Sequence, residues 1–335
     1  MKANSKNLGR RAHELRKKGR LREAEMIYDD LLSMDSHNVY ALVGIGDIRR
    51  QEKRFKEAVD YYTRCLQIEK GNWHALAGLG DAWRGLRNLD NAIRAWIHCL
   101  RIRPDDPKIL TRMADGLRKQ GDRNGAKEYY DTALQVNPYD PYALMGLGII
   151  AVEENRDEQA LDFFEKLIAS DPKSVIPLTS TANIYRKKGA YQKAMTLYDA
   201  AIRMDPRNSH AWHGKADCLR GMKAYTEAID AWEKALRFGM EPRIALTRIG
   251  DAHLQLNNLD LAEENYRKAI SLGYNKYAYL GISNVHEKRQ QLNRALDILS
   301  MLQRREPADA RISRAARVFV MHYPDITSSA TLYAQ

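Results

Sequence analysis

A period of 34 residues runs through almost the whole chain. An alanine recurs at this spacing from residue 24 to residue 262, and another follows at residue 295 after an interval of 33. Four residues after each alanine stands a large side chain, aromatic in every case but the last, and twelve residues before it stands Gly, Ala or Ser. Such a period indicates one small unit repeated nine times, which must stack on its neighbours because it cannot bury its apolar face alone.

Within each unit the apolar residues follow helical spacing. They recur at intervals of three and four over two stretches of about a dozen residues, which predicts two amphipathic helices. We expect the small residues where the two helices cross closely and the aromatic residues in the space beside them. Prolines fall near the boundaries between units, where they end one element or open the next. The sequence therefore predicts an all-α fold of stacked helix pairs.

The column pattern resembles the tetratricopeptide repeat (TPR), a helix–turn–helix unit of this length. The resemblance implies an all-α, α-α superhelix, a TPR solenoid with repeats starting near residues 5, 39, 73, 107, 141, 175, 209, 243 and 276. We expect the solenoid over 1–309, a capping helix with a polar outer face over 310–323, and a flexible tail over 324–335. The eighth repeat is one residue short, so a different turn is expected over 273–277.

The net charge of +11 is concentrated at the amino terminus. Residues 1–22 carry nine Lys or Arg and one Glu, whereas the rest of the chain is nearly balanced. A protein that tracks a phosphate backbone is expected to spread its basic residues along the binding face, so the distribution argues against nucleic acid as the main partner. No apolar run approaches the roughly 20 residues that span a bilayer. No signal peptide is visible, so we expect a cytoplasmic protein unless an upstream signal was removed.

Several short motifs in the sequence could suggest catalysis or cofactor binding, but their positions in the repeat argue against both. The Gly-x-Gly pairs lie at repeat positions inside predicted helices, so they do not indicate a nucleotide-binding loop. His210, His213 and Asp217 fall on one helix face, but we interpret them as polar groove residues instead of metal ligands. The three cysteines stand at small core positions. The sequence therefore predicts a protein that is not an enzyme and has no cofactor.

The resemblance further implies that the second, fifth, ninth and twelfth residues of each repeat face a concave groove. The ninth residue is mostly Asp or Asn and the twelfth mostly Arg; we call these recurring side chains the Asp/Arg ladder. Ion pairs three residues apart would stabilise each helix by only about 0.2–0.5 kcal/mol. The other interpretation is that the ladder holds an extended guest, since a planar guanidinium can serve two acceptors. The partner-binding residues expected from the ladder and its neighbour on the same helix are Asp47, Arg50, Asp81, Arg84, Asp115, Arg118, Asn183, Arg186, His213, Asp217, Arg220 and Asp251.

The fifth repeat interrupts the ladder with an apolar patch. Its four inward positions are all apolar, and Gly146 among them is expected to leave room for close approach. An exposed apolar strip between polar neighbours (Asp115 and Arg118 before it, Asn183 and Arg186 after it) is typical of an anchor pocket with a polar rim. We expect the patch to anchor a guest; cover by the chain's own tail or by a second copy is the alternative. The patch consists of Tyr142, Met145, Ile149 and Val152.

The predicted function is therefore a non-enzymatic protein–protein interaction scaffold that binds a peptide or protein segment in the concave groove. TPR domains that clamp a chaperone's carboxy-terminal carboxylate carry Lys and Asn where this chain has Gly9 and His13, which argues against that subfamily. Two alternatives stay open. One is a nucleic-acid-binding helical repeat protein that uses the basic amino terminus and the ladder arginines. The other is a homo-oligomer assembled through the cap or the tail.

Overall fold

The structure, a computed structural model, describes residues 2–172 and 174–324, which form nineteen α-helices and no strand. The expected tail over 325–335 lies outside the described residues. In chain order the helices are α1 (Lys2–Lys17), α2 (Leu21–Met34), α3 (Val39–Gln51), α4 (Phe55–Ile68), α5 (Trp73–Gly85), α6 (Leu89–Ile102), α7 (Pro107–Gln120), α8 (Arg123–Val136), α9 (Pro141–Glu153), α10 (Asp157–Ser170), α11 (Val175–Lys187), α12 (Tyr191–Met204), α13 (Ser209–Gly221), α14 (Tyr225–Arg237), α15 (Pro242–Gln255), α16 (Leu259–Ser271), α17 (Lys276–Lys288), α18 (Leu292–Arg305) and α19 (Ala310–His322).

Side-chain caps fix where most of the first helices begin. The carboxamide or carboxylate oxygen before α3, α5, α7, α9, α13, α17 and α19 accepts a backbone N–H from the first turn. A cap of this kind is worth about 1 kcal/mol and leaves few alternatives for the helix start. From α3 to α17 the first helices begin within one residue of the starts predicted from the repeat. The capping residues are Asn38, Asn72, Asp106, Asp140, Asn208, Asn275 and Asp309.

The chain divides into two compact halves, an amino-terminal half (Met1–Leu167) and a carboxy-terminal half (Ile168–Gln335). In the first half each helix from α1 to α8 packs on the next one, and in the second half each helix from α11 to α18 does so. First helices of consecutive repeats also touch, as α1 does with α3, α3 with α5 and α15 with α17. The first helices therefore lie side by side within each half and share one layer.

Buried tyrosines wedge consecutive repeats together. The ring of Tyr62 is fully buried between Gly46 of its own repeat and Gly78 of the next. A Cβ atom on these glycines would stand 2.8 and 2.4 Å from the ring, whereas ordinary carbon contacts are about 3.5–4.0 Å. Only glycine fits at such positions. The same contact across a repeat boundary joins Tyr28 to Gly44, Tyr130 to Gly146, Tyr198 to Gly214 and Tyr266 to Gly281.

Two joints between repeats, both in the carboxy-terminal half, use a left-handed glycine. The second helices α2, α8 and α12 end at an extended residue, and Glu69 after α4 has φ −127° and ψ 89° even though Lys70 replaces the usual proline. After α14 and α16 the chain instead passes through Gly239 at φ 99° and Gly273 at φ 133°, a region that favours glycine. The different turn expected over 273–277 is therefore present, and a similar one precedes α15.

The last described helix, α19, buries Ile312, Ala316 and Phe319. Its outer surface is only partly polar, because Met321 is 79% exposed and Val318 43%. The expectation of a polar outer face is to that extent wrong, since arginines alternate there with apolar side chains. The division of the chain into solenoid, cap and tail stays a prediction.

Candidate partner-binding surface

The Asp/Arg ladder forms ion pairs between repeats as well as within them. Arg16 of the first repeat lies 3.1 Å from Asp47 of the second, and Arg50 lies 3.4 Å from Asp47 and 3.7 Å from Asp81 of the third. In the carboxy-terminal half Arg186 lies 2.9 Å from Asp217 of the following repeat. These ladder side chains therefore tie neighbouring first helices to each other.

The wedge tyrosines hold most of the ladder's ninth-position residues. The hydroxyl of Tyr62 donates to Asp47 at 2.7 Å, and that of Tyr266 donates to Asp251 at 2.8 Å. Burial, reinforced by the neighbouring carboxylate, raises the pKa of both hydroxyls far above the usual value of 10, so they remain donors at neutral pH. Burial also raises the pKa of Asp251. Corresponding bonds run from Tyr130 to Asp115 at 2.5 Å and from Tyr198 to Asn183 at 2.7 Å.

In two repeats the wedge position holds a tryptophan, Trp96 or Trp232, which has no hydroxyl. There arginines contact the ninth-position carboxylate instead. Asp81 is 6% exposed and lies 3.1 Å from Arg112 and 3.4 Å from Arg84. Asp217 is similarly buried, and Arg186 and Arg220 approach it. A buried carboxylate must be compensated, and the protein's own arginines do this. Asp81 and Asp217 consequently offer a partner little surface, although the sequence grouped them with the accessible ladder residues.

The accessible part of the ladder is smaller than the repeat pattern implies. Arg84, Arg220 and Asp251 keep about two-fifths of their side chains exposed, and Asp115 is close behind at 36%. Asn183 is exposed as well, although its side-chain oxygen accepts the bond from Tyr198. The more covered members are Asp47, Arg50, Arg118 and Arg186.

His213 is a half-buried neighbour of the ladder. Its Nε2 lies 3.7 Å from a carboxylate oxygen of Asp217. Burial lowers the pKa of His213, although the neighbouring carboxylate of Asp217 acts in the opposite direction. Within the described ranges, no three His, Cys, Asp or Glu side chains are placed to share a metal ion. None of the helices described is both long and apolar enough to cross a membrane.

The apolar patch lies on α9, which is apolar around its whole circumference. Ala143, Leu147 and Ile150 face the core on one side. On the patch side Tyr142 is 69% exposed, while the other three residues are half-buried. The expectation for Gly146 is wrong: its missing side chain makes room for the ring of Tyr130, not for a guest. The patch consists of Tyr142, Met145, Ile149 and Val152, and four polar residues are expected to frame it. Two of these, Asp115 and Arg118, lie in the same half of the chain as the patch, whereas framing by Asn183 and Arg186 stays a prediction.

The carboxy-terminal half holds a cavity that the sequence did not predict. It has a volume of about 690 Å³ and opens among α15, α17 and the start of α19. Its walls carry second, fifth and ninth positions of the last two repeats, yet of these only Asp251 was expected to contact a partner. The signal was the shortened joint before α17, which was noted as a change of turn but not connected with a cavity.

Comparison with known proteins identifies the repeat. Family models described as tetratricopeptide repeat match residues 10–72, 111–175, 179–241 and 245–272. A tetratricopeptide repeat protein from Parabacteroides merdae is 21% identical with a TM-score of 0.55, covering 74% of this chain and 98% of its own. For pilF of Pseudomonas aeruginosa the identity is 18%, the TM-score 0.55, and the coverage 66% and 99%. At such identities the likeness concerns the fold alone.

No curated protein matches the sequence significantly. Proteins built from this repeat are protein-interaction scaffolds, and the stacked helix pairs described above agree with the family models. Because those models match more than half of its length, the chain belongs to the tetratricopeptide repeat family.

Proposed function

We propose that this scaffold is not an enzyme and binds an extended peptide segment of a partner protein along the inward positions of its first helices. The observation that carries the proposal is the apolar patch on α9. Tyr142 is largely exposed there, and Ile149 and Val152 are half-exposed at positions that are polar in most other repeats. Apolar side chains surrounded by polar ones are typical of the centre of a binding surface.

The Asp/Arg ladder supports this function mainly by holding the binding surface in place, whereas the sequence indicates that its carboxylates contact the guest directly. Its carboxylates are held by tyrosines and arginines of the protein, so they fix the first helices in place and pre-organise the surface. The guanidinium groups of Arg84 and Arg220 pair with Asp81 and Asp217, and because each carries five N–H donors and is about two-fifths exposed, donors remain for acceptors of a guest. We expect an affinity near micromolar, which corresponds to about 8 kcal/mol.

The test begins with peptides selected for binding to the full chain from a random dodecapeptide library. Their affinity is measured by fluorescence anisotropy on the wild type and on the double variant Ile149→Asp and Val152→Asp. The charges are expected to weaken binding at least tenfold, because they would have to be desolvated under an apolar anchor. Helicity, followed by circular dichroism, is expected to stay the same.

The matched control carries the same charges away from the patch, at Ile68 and Ile102, which are each about two-fifths exposed on second helices. The control is expected to bind like the wild type. Selected peptides that bind the patch variant and the wild type equally well would contradict the proposed anchor.

A further inference from the structure

The cavity in the carboxy-terminal half continues into a second one. The larger cavity, of about 690 Å³, and a smaller one of about 270 Å³ share Asn284 and Arg311. The larger cavity lies mainly between α15 and α17, and the smaller one is lined by α17, α18 and α19. Cavities of a few hundred cubic ångströms accommodate several ligand side chains.

The shortened joint before α17 contributes polar side chains to the walls of the larger cavity. Asn275 donates to the hydroxyl of Thr247 at 2.8 Å. Tyr274 donates to Glu306 at 2.7 Å, and Lys276 reaches both Glu306 and Asp309 in the next joint. Two consecutive joints are thereby tied together at the rim.

The floor of the larger cavity is apolar and accessible. Ile244 is 49% exposed and Tyr277 is 47% exposed, although both are large apolar side chains. Leu280, one turn further along α17, is half-buried beside them. Removing such apolar surface from water favours binding.

Charges at the rim of the larger cavity largely cancel in pairs. Glu241 lies 2.8 Å from Arg243, Glu306 lies 2.8 Å from Lys276, and Asp251 faces Arg248 at 3.8 Å. These paired side chains leave little net charge at the α15 end of the cavity.

The α19 side of the cavities carries two arginines, Arg311 and Arg314, against one carboxylate, Glu287, which lies 4.0 Å from His322. Arg311 and Arg314 are exposed, and within the described ranges neither forms an ion pair. The guanidinium carbon of Arg311 stands 5.2 Å from the ring centroid of Tyr277, a cation–π arrangement that places the cation beside the apolar floor. Planar guanidinium groups favour carboxylates because they can donate two parallel hydrogen bonds.

We propose that these two cavities form a subsite for a peptide in which an apolar side chain is followed by a carboxylate. The apolar side chain lies on Ile244, Tyr277 and Leu280, and the carboxylate binds Arg311 and Arg314. The subsite rests on the proposed peptide-binding function and specifies one class of peptide. Its residues are remote in sequence from the patch on α9.

Three fluorescent peptides test the proposal on the full chain by anisotropy. The first has Phe followed by two Asp and an amidated end; the second replaces both Asp by Asn; the third ends in Phe with a free carboxylate and has no Asp. At least one of the two carboxylate peptides, the first and the third, is expected to bind tenfold more tightly than the Asn peptide. Comparison of the first with the third shows whether the bound carboxylate belongs to a side chain or to the peptide's carboxy terminus. Equal binding of all three, or no binding of any at millimolar concentration, would overturn the subsite.

Protein variants locate the binding. Arg311→Gln with Arg314→Gln is expected to weaken the carboxylate peptide at least tenfold, whereas Arg304→Gln with Arg317→Gln, two exposed arginines outside the cavity walls, serves as control. Retained binding in the first variant, or an equal loss in both, would refute the assignment.

A second pair of variants tests the apolar floor. Ile244→Ser is expected to weaken binding severalfold, and Ile102→Ser, on a second helix outside the cavity walls and 45% exposed, is the matched control. An unchanged affinity for Ile244→Ser would rule out the floor. The Ile149→Asp and Val152→Asp variant is expected to bind these probes normally, so failure of the subsite and failure of the patch are distinguishable.

Discussion

At the scale of single residues, the ninth-position carboxylates serve the protein before they can serve a guest. Asp47 receives the hydroxyl of Tyr62 and the guanidinium groups of Arg16 and Arg50. A hydrogen bond to a charged acceptor contributes about 1.5–3 kcal/mol, more than an exposed ion pair between neighbouring turns. The ladder is thus mainly an internal polar layer from which a few arginines project.

Removing one wedge hydroxyl tests this role. Tyr62→Phe keeps the ring but deletes the donor to Asp47, which retains its two arginines, so we expect the free energy of unfolding to fall by about 1–2 kcal/mol. The measurement is the urea-unfolding midpoint of the full chain. Tyr61→Phe, on the same helix, removes a hydroxyl that forms no hydrogen bond within the described residues and is the control. Equal midpoints for both variants would mean that the bond contributes nothing.

The sequence contained part of this information. The interval between Asp47 and Tyr62 recurs between Asp115 and Tyr130, so a contact could have been suspected. What sequence alone did not provide is the side-chain direction: an aromatic residue on the second helix reaches back to the first. The burial of Asp81 follows from packing between Arg50 and Arg112 of two neighbouring repeats, which no spacing within one repeat reveals.

At the scale of helices, the close crossings around Tyr62 depend on glycine on both sides of its ring. Gly78→Ala would gain about 1 kcal/mol of helix propensity but place a methyl group 2.4 Å from Tyr62, whose ring is confined on the other side by Gly46. Overpacking of this kind costs about 1–3 kcal/mol or more, so the clash is expected to win.

We therefore expect Gly78→Ala to lower the free energy of unfolding by about 1–2 kcal/mol, measured by urea denaturation. Gly71→Ala is the control, because no atom lies within 4 Å of its added Cβ. A Gly78→Ala protein as stable as the wild type would show that neighbouring helices can move apart at no cost.

Helix positions were the most predictable feature, because proline, cap residues and the alanine column all mark the same boundaries. The all-α repeat fold predicted from them is confirmed by the family models and by the structure. The accessible surface was less predictable. Gly146 was assigned to the groove although Tyr130 fills its space, and the cavity beside Tyr277 depends on how a shortened joint turns.

At the scale of the whole molecule, +8 of the net charge of +11 lies in residues 1–22, at the start of the first repeat. Five exposed cations at its start form no ion pair within the described residues. Five phosphate contacts with a single strand correspond to a logarithmic salt slope of about −3.5, or about 100-fold between 50 and 200 mM salt. These residues are Arg10, Arg11, Lys17, Lys18 and Arg22.

We expect a single-stranded 20-nucleotide DNA to bind weakly, with that salt dependence, in an anisotropy titration. Replacing Arg10, Arg11, Lys17 and Lys18 by Gln is expected to abolish DNA binding and leave the selected peptides unaffected. Tight DNA binding that tolerates salt, or that survives the four substitutions, would favour the nucleic-acid alternative over the peptide scaffold.

The wedges also restrict how the repeats can be rearranged. A tyrosine wedge meets a glycine in the following repeat, as Tyr198 meets Gly214, whereas the position following Trp96 or Trp232 is occupied by Arg112 or Arg248. Exchanging a repeat whose wedge is tyrosine with one whose wedge is tryptophan would set a tryptophan against a glycine and a tyrosine against an arginine. Anyone who shortens, duplicates or shuffles this protein must therefore transfer each aromatic residue together with its downstream neighbour, because the order of the repeats is encoded at their boundaries.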